Sequence, residues 1–228
     1  MKILGIIPAR SGSKGVPNKN KRLISGKSLV QRAFECGKES GVLDRIIVST
    51  DDFEILALAQ KIGLEVPFVR PATFSTDATP MIEVVNHAID HLVKSGYTMD
   101  AVMLLQPTSP LRTPNHLREA VGLLGMGDSV CSVTELPAVF SPHCVMKIVD
   151  GSLTTFLDNV PMPTRRQDAP KAYVRNGTVY LTRTEVIVQQ NTFYGANCSP
   201  MIMPEYESLS IDTEEDWQIA ENFLRSAA

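Results

Sequence analysis

The chain has 228 residues, of which 43% are hydrophobic, 21% charged and 6% aromatic, with 22 basic against 25 acidic residues and a net charge of -3. A chain of this length buries roughly 70% of its unfolded surface, which excludes a disordered tail and a small disulfide scaffold and predicts one large α/β domain or one domain with a small appended element. The near-neutral balance argues against a protein that coats nucleic acid, while leaving room for a local anion site.

Lys2 to Ile7 reads as a buried first strand. Its apolar run, Ile3 to Ile7, is too short for a signal-peptide core and far short of the roughly 20 residues that span a bilayer. The loop PARSGSKGVPNKNKR follows, rich in glycine, proline and basic groups, where an open α/β sheet carries its ligand loop. Ser28 to Ser40 reads as a helix, Asp44 to Ser49 leads into a strand, Asp52 to Ile62 is helical and Leu64 to Phe68 is a short strand. Pro80 to Lys94 is helical, Ala101 to Leu105 is a buried strand and Pro114 to Leu124 is helical again. This alternation predicts a mostly parallel sheet with helices on both faces. After Val130 the pattern loosens. Residues 137–171 are rich in proline and predict an excursion from the sheet, a lid or a dimerisation arm. The alternation returns at Thr178 to Leu181, and Glu214 to Leu224 reads as a terminal helix.

Charge is distributed unevenly. Residues 1–32 hold eight basic side chains and no acidic one, whereas residues 205–228 hold seven acidic side chains and only Arg225 as a base. If the fold joins these ends, cations can surround phosphates while a carboxylate holds their counter-metal. Within Arg10 to Arg22, Gly12 and Gly15 let backbone N–H groups approach phosphate oxygens, and the neighbouring Arg and Lys side chains neutralise their charge. Gly26-Lys27-Ser28 is not a Walker A end, because position 21 is Lys where that motif needs Gly. No GxGxxG is present either, so a P-loop ATPase and a nicotinamide dehydrogenase are both disfavoured.

Cys36, Cys131, Cys144 and Cys198 have no CxxC spacing, which points to a reduced, cytoplasmic setting without a zinc knuckle. His87 and His91 share a helix face but do not form HExxH, so packing or exposure is expected, and His116 and His143 show no local partner. There is no GxSxG elbow for a nucleophile.

Five blocks taken together resemble the acylneuraminate cytidylyltransferase family: IPARSGSKGVPNKN at 7–20, IIVSTDD at 46–52, LLQPTSPLR at 104–112, RRQDAP with a following NG at 165–177, and SIDTEEDW at 210–217. The resemblance spans nearly the whole chain. It implies a single Rossmann-like nucleotidyltransferase domain over 1–228, coupling CTP to a 2-keto sugar acid with Mg²⁺ and releasing pyrophosphate. It also implies a homodimer formed through the 137–171 excursion. Arg10, Ser13 and Lys14 would line the triphosphate loop, Lys19 and Asn20 would sit near the reacting phosphate, and Gln106 would hold nucleotide or sugar. Arg165 and Arg166 would meet the sugar carboxylate, for which a guanidinium fork is suited.

The metal site departs from the family, which often carries Asp-Ile-Asp where this chain has Ser210-Ile211-Asp212. Asp212 is the expected ligand, and a hydroxyl at 210 is a weaker one for a hard cation. Asp216 and its two preceding glutamates read as the first turn of the last helix. N-acetylneuraminate is the first expected acid. Legionaminate, pseudaminate and a Kdo-type acid remain open, as does a non-catalytic sugar-nucleotide binder.

Overall fold

The computed structural model describes residues 1–125, 127–158, 160, 162–165 and 168–226. Strand β1 (Ile3–Pro8) is buried at every position, as a central parallel strand must be. It pairs in parallel with β4 (Arg45–Ser49) on one side and with β5 (Ala101–Leu104) on the other. Beyond β5 lies β9 (Tyr173–Arg183), antiparallel to it and to β6 (Ser129–Glu135), and β10 (Cys198–Ile202) runs parallel to β6 at the edge. The six-stranded order is β10-β6-β9-β5-β1-β4.

Side chains alternate across this sheet with the period of two that a strand imposes. Ile3, Ile7, Ala101 and Met103 face one core with α1 (Leu29–Ser40), α2 (Phe53–Ile62) and α4 (Pro114–Leu124). Leu4, Ile6, Val102 and Leu104 face the opposite core with α3 (Met81–Lys94) and α5 (Thr184–Gln190). Both faces are therefore covered, as the alternation predicts. Helix starts follow their caps: Ser28 accepts from the Gln31 amide at 3.1 Å, Asp52 from Glu54 at 2.8 Å, and Thr113 forms a capping box with His116. His116 is thus not without partners, since its Nε2 also lies 3.0 Å from Glu207.

Two local readings change, and the rejected Walker A stretch finds its place. Leu64 to Phe68 forms only a single bridge, Ile47 to Glu65, because Pro67 has no N–H with which to continue a ladder along the outer side of β4. The strand expected over 178–181 is the middle of the much longer β9. Gly26-Lys27-Ser28 belongs to a small hairpin, β2 (Leu23–Ile24) with β3 (Lys27–Ser28), turned at Ser25 and Gly26 with positive φ at both.

The 137–171 excursion leaves the main sheet between β6 and β9 and carries its own antiparallel hairpin, β7 (Met146–Val149) with β8 (Ser152–Thr155). The chain closes with α6 (Glu214–Ser226), whose Trp217 and Ala220 bury against Val16, Ile24, Leu29 and Ile211 in a third, smaller core. Among the described residues no helix is long and apolar enough to cross a membrane.

Candidate active site

A cleft of 460 Å³ opens where β1 and β5 end, lined by the loop after β1, by Gln106 to Thr108 after β5, and by Ser210 and Asp212 before α6. Arg10, Ser13, Lys14, Lys19, Asn20, Gln106 and Asp212 all line it. The basic start and acidic end of the chain do meet here. Lys19 Nζ lies 3.2 Å from Asp212 Oδ1, and Arg22 Nη1 donates to both oxygens of Glu214 at 2.6 and 2.8 Å while its guanidinium stacks 4.2 Å over Trp217.

The loop over residues 10–22 is held at several points. Asp51 accepts from the Ser11 amide at 2.8 Å and from its hydroxyl at 2.6 Å. Asn20 Nδ2 donates to the Arg10 carbonyl at 3.1 Å and closes the loop on itself. Lys21 pairs with Asp52 at 3.1 Å and Glu54 at 2.8 Å. Thus IIVSTDD anchors the loop rather than contributing a lining side chain. Gly15 sits so close to the 211–212 backbone that a Cβ there would lie 2.0 Å from the Asp212 carbonyl oxygen, so only glycine fits. Val16 is buried in the third core, and the Ile211 amide donates to the Thr108 carbonyl at 2.8 Å. Three separate chain segments are thereby fixed around one space.

The cations differ in how they are engaged. Arg10 and Lys14 both pair with Asp77, and Lys14 is 78% exposed, so this contact is made at the rim. Lys19 donates to the Ile211 carbonyl as well as to Asp212. Asp212 is 72% exposed and its second oxygen lies 3.4 Å from the Ser210 hydroxyl. Asp216 instead accepts from the Asp212 amide at 3.0 Å and from the Thr213 amide at 2.8 Å, while its own amide donates to Thr213 Oγ1 at 3.2 Å. That is the helix-capping role expected for it.

Among the described residues no group of three or more His, Cys, Asp or Glu side chains is arranged to hold a metal. One exposed carboxylate beside a hydroxyl nevertheless fits Mg²⁺, which keeps much of its shell as water and phosphate oxygen and needs only one or two carboxylates.

Two arginines at the site were given no role from the sequence, although Arg112 ends the LLQPTSPLR block. Arg70 lines the cleft although it is almost fully buried, and its guanidinium donates to Ser49 through the hydroxyl at 3.0 Å and the carbonyl. Burial pushes it down to about 10, and nearby Asp51 offsets part of that fall. Arg112 of the LLQPTSPLR block lies beneath the cleft, tying the carbonyls of Gln106 and Thr178 together, the second at 2.7 Å, and burial likewise lowers it to about 10. Gly177, with φ of 76°, leaves room for Gln106, whose Oε1 would lie 2.9 Å from a Cβ at that position. The NG pair thus shapes the cleft from below. Arg165 lies outside the cleft, 69% exposed and paired with Asp168 at 2.9 Å. Arg166 lies outside the described residues.

The sequence model of the family described as Cytidylyltransferase matches residues 4–214. The chain belongs to the cytidylyltransferase family. This cytidylyltransferase is 33% identical to the CMP-N,N'-diacetyllegionaminic acid synthase of Legionella pneumophila, covering 98% of this chain and 97% of that one. It is 30% identical to the N-acylneuraminate cytidylyltransferase of Escherichia coli, over 96% of this chain but 51% of that one. It is also 30% identical to a pseudaminic acid cytidylyltransferase of Campylobacter jejuni, over 96% and 95%. In fold, the cytidylyltransferase is similar to a CMP:2-keto-3-deoxy-manno-octonic acid synthetase complexed with CTP, with a TM-score of 0.73 and 16% identity over 100% of both chains. The mostly parallel α/β nucleotidyltransferase architecture expected from the sequence is therefore the one adopted.

Proposed function

We propose that the chain transfers a cytidylyl group from CTP to the anomeric hydroxyl of a nine-carbon 2-keto sugar acid and releases pyrophosphate. The observation that carries this reading is the convergence of Arg10, Lys14, Lys19, Gln106 and Asp212 on one cleft in a chain of this family. N-acetylneuraminate is the first acid, on the likeness of the LLQPTSPLR and C-terminal blocks to that group. N,N'-diacetyllegionaminate is the second, favoured by 33% identity over nearly the whole of both chains.

In this reading Arg10 and Lys14 take the triphosphate, exchanging Asp77 for phosphate oxygens. Lys19, held beside Asp212, would meet the negative charge that grows on the leaving pyrophosphate as the sugar hydroxyl attacks the α-phosphorus from the opposite side. Ser13, Asn20 and the loop amides fix the nucleotide, and Gln106 orients whichever reactant lies against β5. Asp212, beside Ser210, would hold Mg²⁺, which would supply further neutralisation of phosphate charge. Catalysis then rests on placement and fixed charge, with no protein nucleophile.

The arm fits the expected homodimer. Eight of the 20 exposed large apolar side chains among the described residues lie within 137–171. Through it, Arg165 and Arg166 would reach the partner's sugar site. The four cysteines are free, in keeping with a reducing cytoplasm.

The test is pyrophosphate release with CTP and Mg²⁺, offering N-acetylneuraminate, N,N'-diacetyllegionaminate, pseudaminate and Kdo in parallel with single-component controls. Release with one acid is the expected result. Lys19→Ala, folded as the wild type, is expected to lower turnover by about 10²–10³-fold, on the scale of one lost transition-state donor. An unchanged rate removes Lys19 from this role, and CTP binding without release by the wild type supports a non-catalytic binder instead.

A further inference from the structure

Gln106 and Met81 line not only the cleft but also a second cavity of 360 Å³ on the β9 side. Its other walls include Tyr180, Asn191, Phe193 and Tyr194, a mixture of aromatic faces and amide groups suited to the C–H and O–H surfaces of a sugar. Arg175 is the one charged side chain among those lining it.

The position of Arg175 follows from its neighbour. Asn176 turns inward, accepting from Ser132 Oγ at 2.6 Å and donating to Ser208 Oγ at 2.9 Å, so strand alternation turns Arg175 outward, into the cavity. There the guanidinium donates to the Tyr194 hydroxyl and lies 5.3 Å from the centre of that ring. It forms no ion pair among the described residues. Arg10, Lys14 and Lys19 in the adjoining cleft all have carboxylate partners. A guanidinium has five N–H donors, and the tyrosine hydroxyl accepts from one nitrogen, leaving an oriented fork unused.

We infer that Arg175, steadied by Tyr194, receives the carboxylate of the sugar acid inside the same subunit. This assignment rests on the cytidylyltransferase reading above. It divides the labour between cavities: cleft cations take phosphate, and Arg175 takes the carboxylate, with Gln106 at the seam. It also leaves Arg165, whose fork is already paired with Asp168, to a contact at the rim.

The test compares kcat/KM for N-acetylneuraminate and N,N'-diacetyllegionaminate, each as free acid and as methyl ester, in the wild type, Arg175→Met, Arg175→Lys, Tyr194→Phe and Arg165→Met. Losing a charge-assisted hydrogen-bonded pair predicts a rise of about tenfold or more in KM for the acid with Arg175→Met, with KM for CTP within about twofold of the wild type. The preference for acid over ester should fall by the same factor, recover in part in Arg175→Lys, and fall less in Tyr194→Phe. A merely structural role for Arg175 would not move that ratio. Wild-type acid-to-ester preference retained in both Arg175 variants overturns the inference, as does its loss in Arg165→Met alone. A wild type that turns over no acid brings down the parent reading, and the carboxylate role with it.

Discussion

Asp51 holds the front of the loop after β1 with one carboxylate, through two donors of Ser11. Burial pushes this carboxyl up, yet the hydroxyl and amide of Ser11 pull it down further, so it ends below its ordinary value. A folded-state pKa below that of the unfolded chain, about 3.9, means the contribution to stability is complete above that pH. It is lost as pH falls through the folded value. Asp51→Asn is therefore expected to lower the urea midpoint at pH 7 and to flatten the acid limb of stability below about pH 4. An acid limb identical to that of the wild type would show that Asp51 is not one of the groups behind it. That Arg10, Lys14 and Lys19 line one cleft was legible because one contiguous loop carries them. Arg70 and Asp77 were not, since each matters only through partners more than twenty residues away, at Ser49 for the first and at Arg10 and Lys14 for the second.

Helix α6 holds the site together as an element. Its Trp217 is 2% exposed and packs with Val16 of the loop after β1 and Ile211 of the acidic segment, so one side chain links both walls of the cleft. Trp217→Ala should cost about 3–5 kcal/mol in urea unfolding, as large-to-small changes of a buried aromatic do. CTP KM should rise in the folded fraction, because Lys19 and Asp212 lose their common support. A loss under about 1 kcal/mol would mean the third core is dispensable. Helices α1 to α4 were readable to within a residue, with or without a side-chain cap, whereas α5 has only seven residues and escaped notice. β10 was hidden by Pro200 in its middle, a residue tolerated at a sheet edge. The first three residues of β9 are exposed, so only its buried half carried a strand pattern.

For the whole molecule, the alternation of strands and helices made the sheet legible, but not that β9 enters it against the prevailing direction between β5 and β6. The arm was visible as a break in periodicity, while its hairpin was marked by Asp150-Gly151, both with positive φ. Ile148 and Leu153 face each other across that hairpin and are 76% and 63% exposed. If a second copy covers them, the wild type sediments at twice the 25.0 kDa chain mass, and Ile148→Glu with Leu153→Glu sediments at the chain mass. A double variant sedimenting like a dimeric wild type would place the interface elsewhere.

Asp77 gives the cleft a counter-anion of its own, so a nucleotide held by Arg10 and Lys14, as proposed, would enter by exchange rather than by simple addition. The carboxylate it displaces belongs to the segment that runs into Pro80 and Met81, two residues of the second cavity's wall. If release of Asp77 shifts that segment, occupancy of one cavity acts on the geometry of the other. Linked equilibria are reciprocal: the factor by which the nucleotide changes affinity for the acid is the factor by which the acid changes affinity for the nucleotide.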